Sequence, residues 1–219
     1  MIINSIGKFK PTRRWLIRTS IKLHNLSLML INSFVVADNH GIHPKHSLMK
    51  YHKFFTDHIQ SDSVVLDIGC GIGIVAADVA KKAKRVVAVD LNPDSIAFAK
   101  KHYLAPNIDF RLADATREKF QEQFDYVILS NVLEHITDRA AFLNDIRQLA
   151  PTLLIRVPMI NRDWLPLYQQ SLGLFPYSDK DHRTEYTFES FQNELNQAHL
   201  RIVESTIQFG EIWSVVVSL

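Results

Sequence analysis

The stretch Val64-Val65-Leu66-Asp67-Ile68-Gly69-Cys70-Gly71-Ile72-Gly73 constrains this chain more than any other. Its apolar, β-branched start reads as a strand covered on both faces of a parallel sheet. Glycine at three alternate positions then allows a sharp turn and a close approach of backbone to a ligand. A helix is expected from about Ile74 to Ala83, with its amide N-terminus aimed back at the turn, which favours an anionic or electron-rich group there. A second apolar strand, Arg85-Val86-Val87-Ala88-Val89, ends in Asp90. That carboxylate follows the first glycine by about twenty residues, the offset at which an acidic side chain meets a ribose.

Two readings of this βαβ unit compete. Gly71-x-Gly73-x-x-Ala76 satisfies the dinucleotide pattern of an NAD-type oxidoreductase. Against it stands Asp67, inside the strand and two residues before the first glycine, giving D-x-G-C-G-x-G. This resembles motif I of the class I S-adenosylmethionine-dependent methyltransferases. The likeness continues through Phe110-Arg111-Leu112-Ala113-Asp114-Ala115, similar to the family's third strand, and through Phe124 to His135, similar to its fourth. The Val132-Leu133-Glu134-His135 ending resembles small-molecule methyltransferases of the ubiquinone-biosynthesis type.

The resemblance covers about residues 45 to 219. It implies S-adenosyl-L-methionine as cofactor, with Asp67, Gly69, Cys70, Gly71 and Gly73 around its methionine part. It also implies Asp90 on the ribose hydroxyls, Asp114 on the adenine amine, and further contacts from Leu91, Ala115 and Ser130. The implied activity is transfer of a methyl group, first of all to oxygen, on a small or lipid-linked metabolite. Rivals from other classes are the oxidoreductase and a noncatalytic cofactor-binding subunit that regulates a partner. Each acidic residue has a plainer reading as well, with Asp67 as a cap, Asp90 as a solvated strand end and Asp114 as a turn residue. Cys70 has no basic neighbour in sequence and reads as a small filler rather than a nucleophile.

The rest of the chain fits the same frame. A helix from Pro93 to about Tyr103 with Asn92 as N-cap, another from Asp138 to Ala150 ended by Pro151, and a fifth strand Thr152–Val157 continue the alternation of strand and helix. Thr187 should cap a helix from Phe188 to Ala198. Strands Arg201–Gln208 and Ile212–Val217, joined at Phe209-Gly210, should insert the last strand antiparallel. The expected fold is therefore α/β, a doubly wound, mostly parallel seven-stranded sheet with an antiparallel last strand and an N-terminal helical appendage. The expected division is residues 1–45 as a basic amphipathic helical segment or lid and 46–219 as the cofactor-binding domain.

Charge is uneven along the chain. Lys8, Lys10, Arg13, Arg14, Arg18 and Lys22 precede the first acidic residue, Asp38, so of a net +2 these six leave −4 for the remainder. Pro11 to Val36 reads as a helix carrying Leu16, Leu23, Leu26, Leu30 and Phe34. Positive residues before Leu26-Ser27-Leu28-Met29-Leu30-Ile31 imitate a signal peptide. Asn32 and Ser33 interrupt the run, which is short for a bilayer span, and the downstream domain needs a cofactor found inside cells. A packing helix or lid, peripheral contact with anionic membrane, and nucleic-acid binding are the three readings. Only Phe9 and Trp15 interleave the basic residues, thin support for base stacking. A single cysteine excludes an intramolecular disulfide and fits a reducing compartment, so the expected location is cytoplasmic with a peripheral membrane option.

Five of the ten histidines, His40, His43, His46, His52 and His58, cluster before the first strand. His43, Lys45 and His46 read as a loop leading into a helix Ser47–Ile59, at the cofactor rim, placed to meet an acceptor phosphate or the cofactor carboxylate, and no metal is assigned to the histidines. Pro158 to Thr187 reads as a long, aromatic, acceptor-side lid. It ends in Asp181-His182-Arg183-Thr184-Glu185-Tyr186-Thr187, which resembles the His-x-x-x-Tyr-Thr segment of methyltransferases in polysaccharide and lipid-linked pathways. His135, with His182 as the alternative, is the candidate base for the acceptor proton, because a near-neutral imidazole needs no large shift to accept one.

Overall fold

A computed structural model describes residues 10–219, with side chains from residue 12 onward. Lys8 and Phe9 lie outside the described residues, as does the side chain of Lys10. The chain divides into two compact units, Met1–Tyr51 and His52–Leu219.

In the first unit, α1 runs from Lys10 to Asp38 without interruption. Pro11 falls in its first turn, where a missing N–H costs nothing, and no other proline or glycine occurs between it and Gly41. His40 and Gly41 take positive φ, and the Gly41 amide bonds back to Val36 O at 2.9 Å, closing the helix. The expected single helix Ser47–Ile59 is two, α2 at Lys45–Leu48 and α3 at His52–His58. Lys50, at φ 50°, breaks it.

The second unit is a seven-stranded sheet in the order β3-β2-β1-β4-β5-β7-β6. Its strands are β1 (Val64–Ile68), β2 (Arg85–Asp90), β3 (Ile108–Leu112), β4 (Tyr126–Ser130), β5 (Thr152–Pro158), β6 (Leu200–Gln208) and β7 (Glu211–Ser218). The first five are parallel, and β7 lies antiparallel between β5 and β6. Phe209 and Gly210, at φ 55° and 73°, make the tight turn whose twist suits a two-residue hairpin. Edge strand β6 is exposed over most of its length and carries a bulge between Ile202 and Glu204, features that discourage edge pairing with another chain.

One face of the sheet buries Leu66, Val87, Leu129 and Ile155 against Phe142, Leu143 and Ile146 of α6 (Arg139–Ile146) and Phe191 and Leu195 of α8 (Phe188–Gln197). The other carries α4 (Ile74–Ala80) and α5 (Pro93–His102), with Phe55 of α3 set 5.9 Å from the Trp213 ring. Asn92 and Thr187 cap α5 and α8 as their sequences require, the latter in a reciprocal box with Ser190. The stretch after β5 is not structureless. It contains α7 (Trp164–Ser171), started by the Asp163 side chain, and its far end returns to the sheet through a Met159–Tyr186 bridge.

Candidate functional site

β1, β2 and β4 are adjacent and parallel, so Asp67, Asp90 and Ser130 arrive at the carboxyl edge of the sheet, where ligands of such folds collect. Gly73 must be glycine on packing grounds. At φ 84° a Cβ there would stand 2.8–2.9 Å from Phe110 and Ala99. Gly71 is different, because at φ 53° its Cβ position faces open space. Side-chain absence at Gly71 leaves room for something other than protein. Gly69 also takes positive φ, and its amide and that of Cys70 bond to Val89 O, fixing the turn to β2.

Both oxygens of Asp90 accept backbone donors, Oδ2 from Gly71 N at 2.7 Å and Oδ1 from Asn92 N at 2.8 Å. Each retains a lone-pair direction for a further donor. Asp67 is 1% exposed and its Oδ2 has no hydrogen-bond partner. Burial, reinforced by the Asp90 charge, pushes its carboxyl up to about 8. An isolated buried carboxyl of this kind is stabilised by a cationic donor. Burial, followed by the charges of Asp67 and Asp90, also pushes the Cys70 thiol up, which removes it as a nucleophile.

The remaining cofactor candidates sit differently. Leu91 is 72% exposed immediately beside Asp90. Asp114 turns its Oδ1 onto Thr116, at 2.7 Å from the hydroxyl and 3.0 Å from the amide, with Ala115 half-buried between them. Its carboxyl is held low by those bonds. The Ser130 hydroxyl accepts from Arg156 Nη1 at 3.3 Å, placing it within a polar group that the sequence did not single out. There Arg156 forms a two-pronged pair with Glu211 at 2.7 and 2.8 Å, and Asn131, at φ 57°, donates to Glu211 at 3.3 Å. A charged residue within the apolar run Leu153–Val157 is the signal that marks Arg156.

The two candidate histidines, forty-seven positions apart, are brought together. Their ring centroids lie 4.8 Å apart in an edge-to-face arrangement. His135 ends a 3₁₀ turn at Leu133–His135 and is exposed, whereas His182 is buried with Nδ1 2.9 Å from Glu185 Oε1. Burial, then the neighbouring His182, lowers the His135 pKa. Behind them lies Glu134, fully buried, with neither carboxylate oxygen hydrogen-bonded. Its Oε1 is 3.9 Å from His182 Nε2, and burial pushes the carboxyl up to about 8. One ligand atom from each of Glu134, His135 and His182 lies within 4.8 Å of the others, a spacing that a single cation could bridge.

Glu185 organises the segment carrying His182. Its carboxylate receives Arg162 Nη1, the Ser178 amide and hydroxyl, and His182. These partners hold Glu185 ionised against the cost of burial. Arg183 N bonds to Glu134 O at 2.7 Å, so the end of the segment is fastened to the turn bearing His135.

Known proteins resemble this arrangement. Residues 65–151 match a methyltransferase domain family. The ubiquinone biosynthesis O-methyltransferase of Rhodopseudomonas palustris is 35% identical over 103 residues, which is 46% of this chain and 41% of that protein. Its counterpart in a Bradyrhizobium species is 37% identical over the same shares. The chain thus spans less than half the length of these curated relatives. Among solved structures, an N-methyltransferase of Bradyrhizobium japonicum, determined with S-adenosyl-L-homocysteine, aligns at TM-score 0.59 and 16% identity over 78% of this chain and 86% of that one. Magnesium protoporphyrin IX methyltransferase from Synechocystis, also with S-adenosyl-L-homocysteine bound, aligns at TM-score 0.61 and 16% identity over 100% and 99%. Sheet order, the reversed last strand and the glycine turn between Asp67 and Asp90 agree with the fold of these solved structures, and residues 65–151 carry a methyltransferase domain like that of the class I S-adenosylmethionine-dependent methyltransferases.

Proposed function

We propose that this protein moves the methyl group of S-adenosylmethionine onto an oxygen of a small or lipid-linked acceptor. The observation that carries the proposal is the pairing of Asp67, buried with an unpartnered oxygen, with the open cradle at Gly71 and the Asp90 carboxylate held at its edge. Asp67 suits the cationic methionine end of the cofactor, and Asp90 keeps acceptor capacity for two ribose hydroxyls. Leu91 and Ala115 would flank the adenine, and Asp114 would turn from Thr116 to its amine. When bound, the cofactor supplies an already activated methyl group.

The protein's own contribution is then alignment and exclusion of water, which can supply up to about 7–11 kcal/mol. Acceptor oxygen, methyl carbon and sulfur must lie in a line. His135, with His182 as the alternative, would take the acceptor proton onto its imidazole as the methyl group is transferred. Support for oxygen as the target comes from the O-methyltransferase relatives, 35% identical over 103 residues. We place the activity in the cytoplasm, where the cofactor is available. The test is turnover to S-adenosylhomocysteine with a pool of hydroxylated metabolites. Product formation that depends on the pool is expected, and binding of NAD with no S-adenosylhomocysteine formed would overturn the assignment.

A further inference from the structure

Helix α1 is the largest feature that methyl transfer leaves unused. Its segment Thr12–Asp38 spans 27 residues and is long and apolar enough, by length and composition, to cross a membrane, which corrects the expectation that the run is too short. Length alone does not decide how such a helix meets lipid; sidedness does. At 100° per residue, Trp15, Leu16, Leu23, Leu26, Leu30 and Phe34 fall on one side, and they are exposed by 62, 36, 61, 47, 42 and 66%. From Leu16 to Phe34 this stripe is about 27 Å long at 1.5 Å per residue.

The opposite side carries Arg14, Arg18, Asn25 and Asn32 together with the buried Ile21 and the exposed Leu28, and Arg13 and Lys22 flank the stripe. Two polar groups of the apolar half are engaged within the unit. Ser33 donates to Met29 O at 2.9 Å, and Asn32 Oδ1 lies 3.3 Å from His43 Nε2. A helix spanning the bilayer would carry Asn25 and Asn32 into hydrocarbon along one side, whereas one lying in the interface keeps that side in water.

We propose that α1 docks in the plane of an anionic lipid bilayer. Its apolar stripe enters the acyl boundary while Arg13 and Lys22, which flank the stripe, meet phosphate headgroups. Charge selects this occupant over a second copy of the chain. No acidic residue precedes Asp38, so a paired α1 would gather basic residues with almost nothing to neutralise them. A membrane has no such objection, since anionic headgroups gain from each basic residue and the attraction fades with salt.

The test is flotation of the full chain with phosphatidylcholine vesicles, with and without phosphatidylglycerol. Binding is expected only with the anionic lipid and should fall at least about tenfold as salt rises from about 0.05 to 0.5 M. Brominated lipid should quench Trp15, an effect absent in Trp15→Phe. Leu23→Glu with Leu30→Glu should weaken binding by at least about a hundredfold, and Arg13→Gln, Arg14→Gln and Lys22→Gln together should abolish the anionic preference. Thermal unfolding of these exposed-site variants should match the parent. Retained binding by the leucine variant, a pool released by detergent but not by alkaline carbonate, self-association in place of vesicle binding, or an intact mass lacking the helix would each overturn the proposal.

Discussion

Glu134 and His135 are neighbours in sequence and opposites in environment. Burial holds the Glu134 carboxyl up at about 8 against an ordinary 4.5, so between those values the folded protein keeps a proton that the unfolded chain has released. Stability linked to this group is fully present below about pH 4.5 and is lost as pH rises toward 8, and Asp67, raised from 3.8 to about 8, acts in the same direction. Glu134→Gln should therefore raise the melting temperature near pH 8.5 by about 3–8 °C and change it little near pH 5. Equal shifts at both pH values would show that the carboxyl does not titrate with folding. For His135, the lowered pKa keeps the imidazole neutral, and able to accept a proton, below its ordinary 6.5. His135→Gln should cut turnover at least about a hundredfold, leave cofactor affinity nearly intact, and remove an acidic limb lying below pH 6.5. A fall of less than about tenfold in both His135→Gln and His182→Gln would leave catalysis to positioning alone. The histidines were legible from their motifs. The isolation of Glu134 was not, because a missing hydrogen-bond partner is created by packing and leaves no trace in a linear pattern.

Among elements, the strands and capped helices followed from local chemistry, and the departures have local causes. Lys50 adopts positive φ and splits a helix whose apolar spacing gave no break. The prolines after β5 suggested a loop, yet Pro166 falls in the first turn of α7, where no backbone bond is lost, and Asp163 supplies the cap. The Arg156–Glu211 pair joins β5 to β7 and was invisible beforehand, since it depends on the antiparallel register that sets Pro158 against Glu211 and Arg156 against Trp213. The guanidinium also lies 4.9 Å from the Trp213 ring. Arg156→Met would strand a nearly buried carboxylate, and urea unfolding should show a loss of about 3–5 kcal/mol. Adding Glu211→Gln should recover a substantial part of that loss. A single variant as stable as the parent would mean that the pair is not coupled to folding.

For the whole molecule, sheet order and the placement of Asp67, Asp90 and Ser130 along one edge follow from two facts readable in sequence, the alternation of apolar strands with helices and the Phe209-Gly210 reversal. Acceptor identity is not readable in the same way, because the polar group of Ser130, Asn131, Arg156 and Glu211 is gathered from β4, the residue after it, β5 and β7 only by the fold. The central claim is that the edge between β1 and β2 binds S-adenosylmethionine through the Asp90 carboxylate. Titration calorimetry of the full chain tests it directly. The expected result is one S-adenosylmethionine per chain, no comparable heat with NAD, and an affinity about a hundredfold lower in Asp90→Ala, each lost charge-assisted hydrogen bond removing about 1.5–3 kcal/mol. Unchanged affinity in a folded Asp90→Ala, or binding of NAD in place of S-adenosylmethionine, would contradict it.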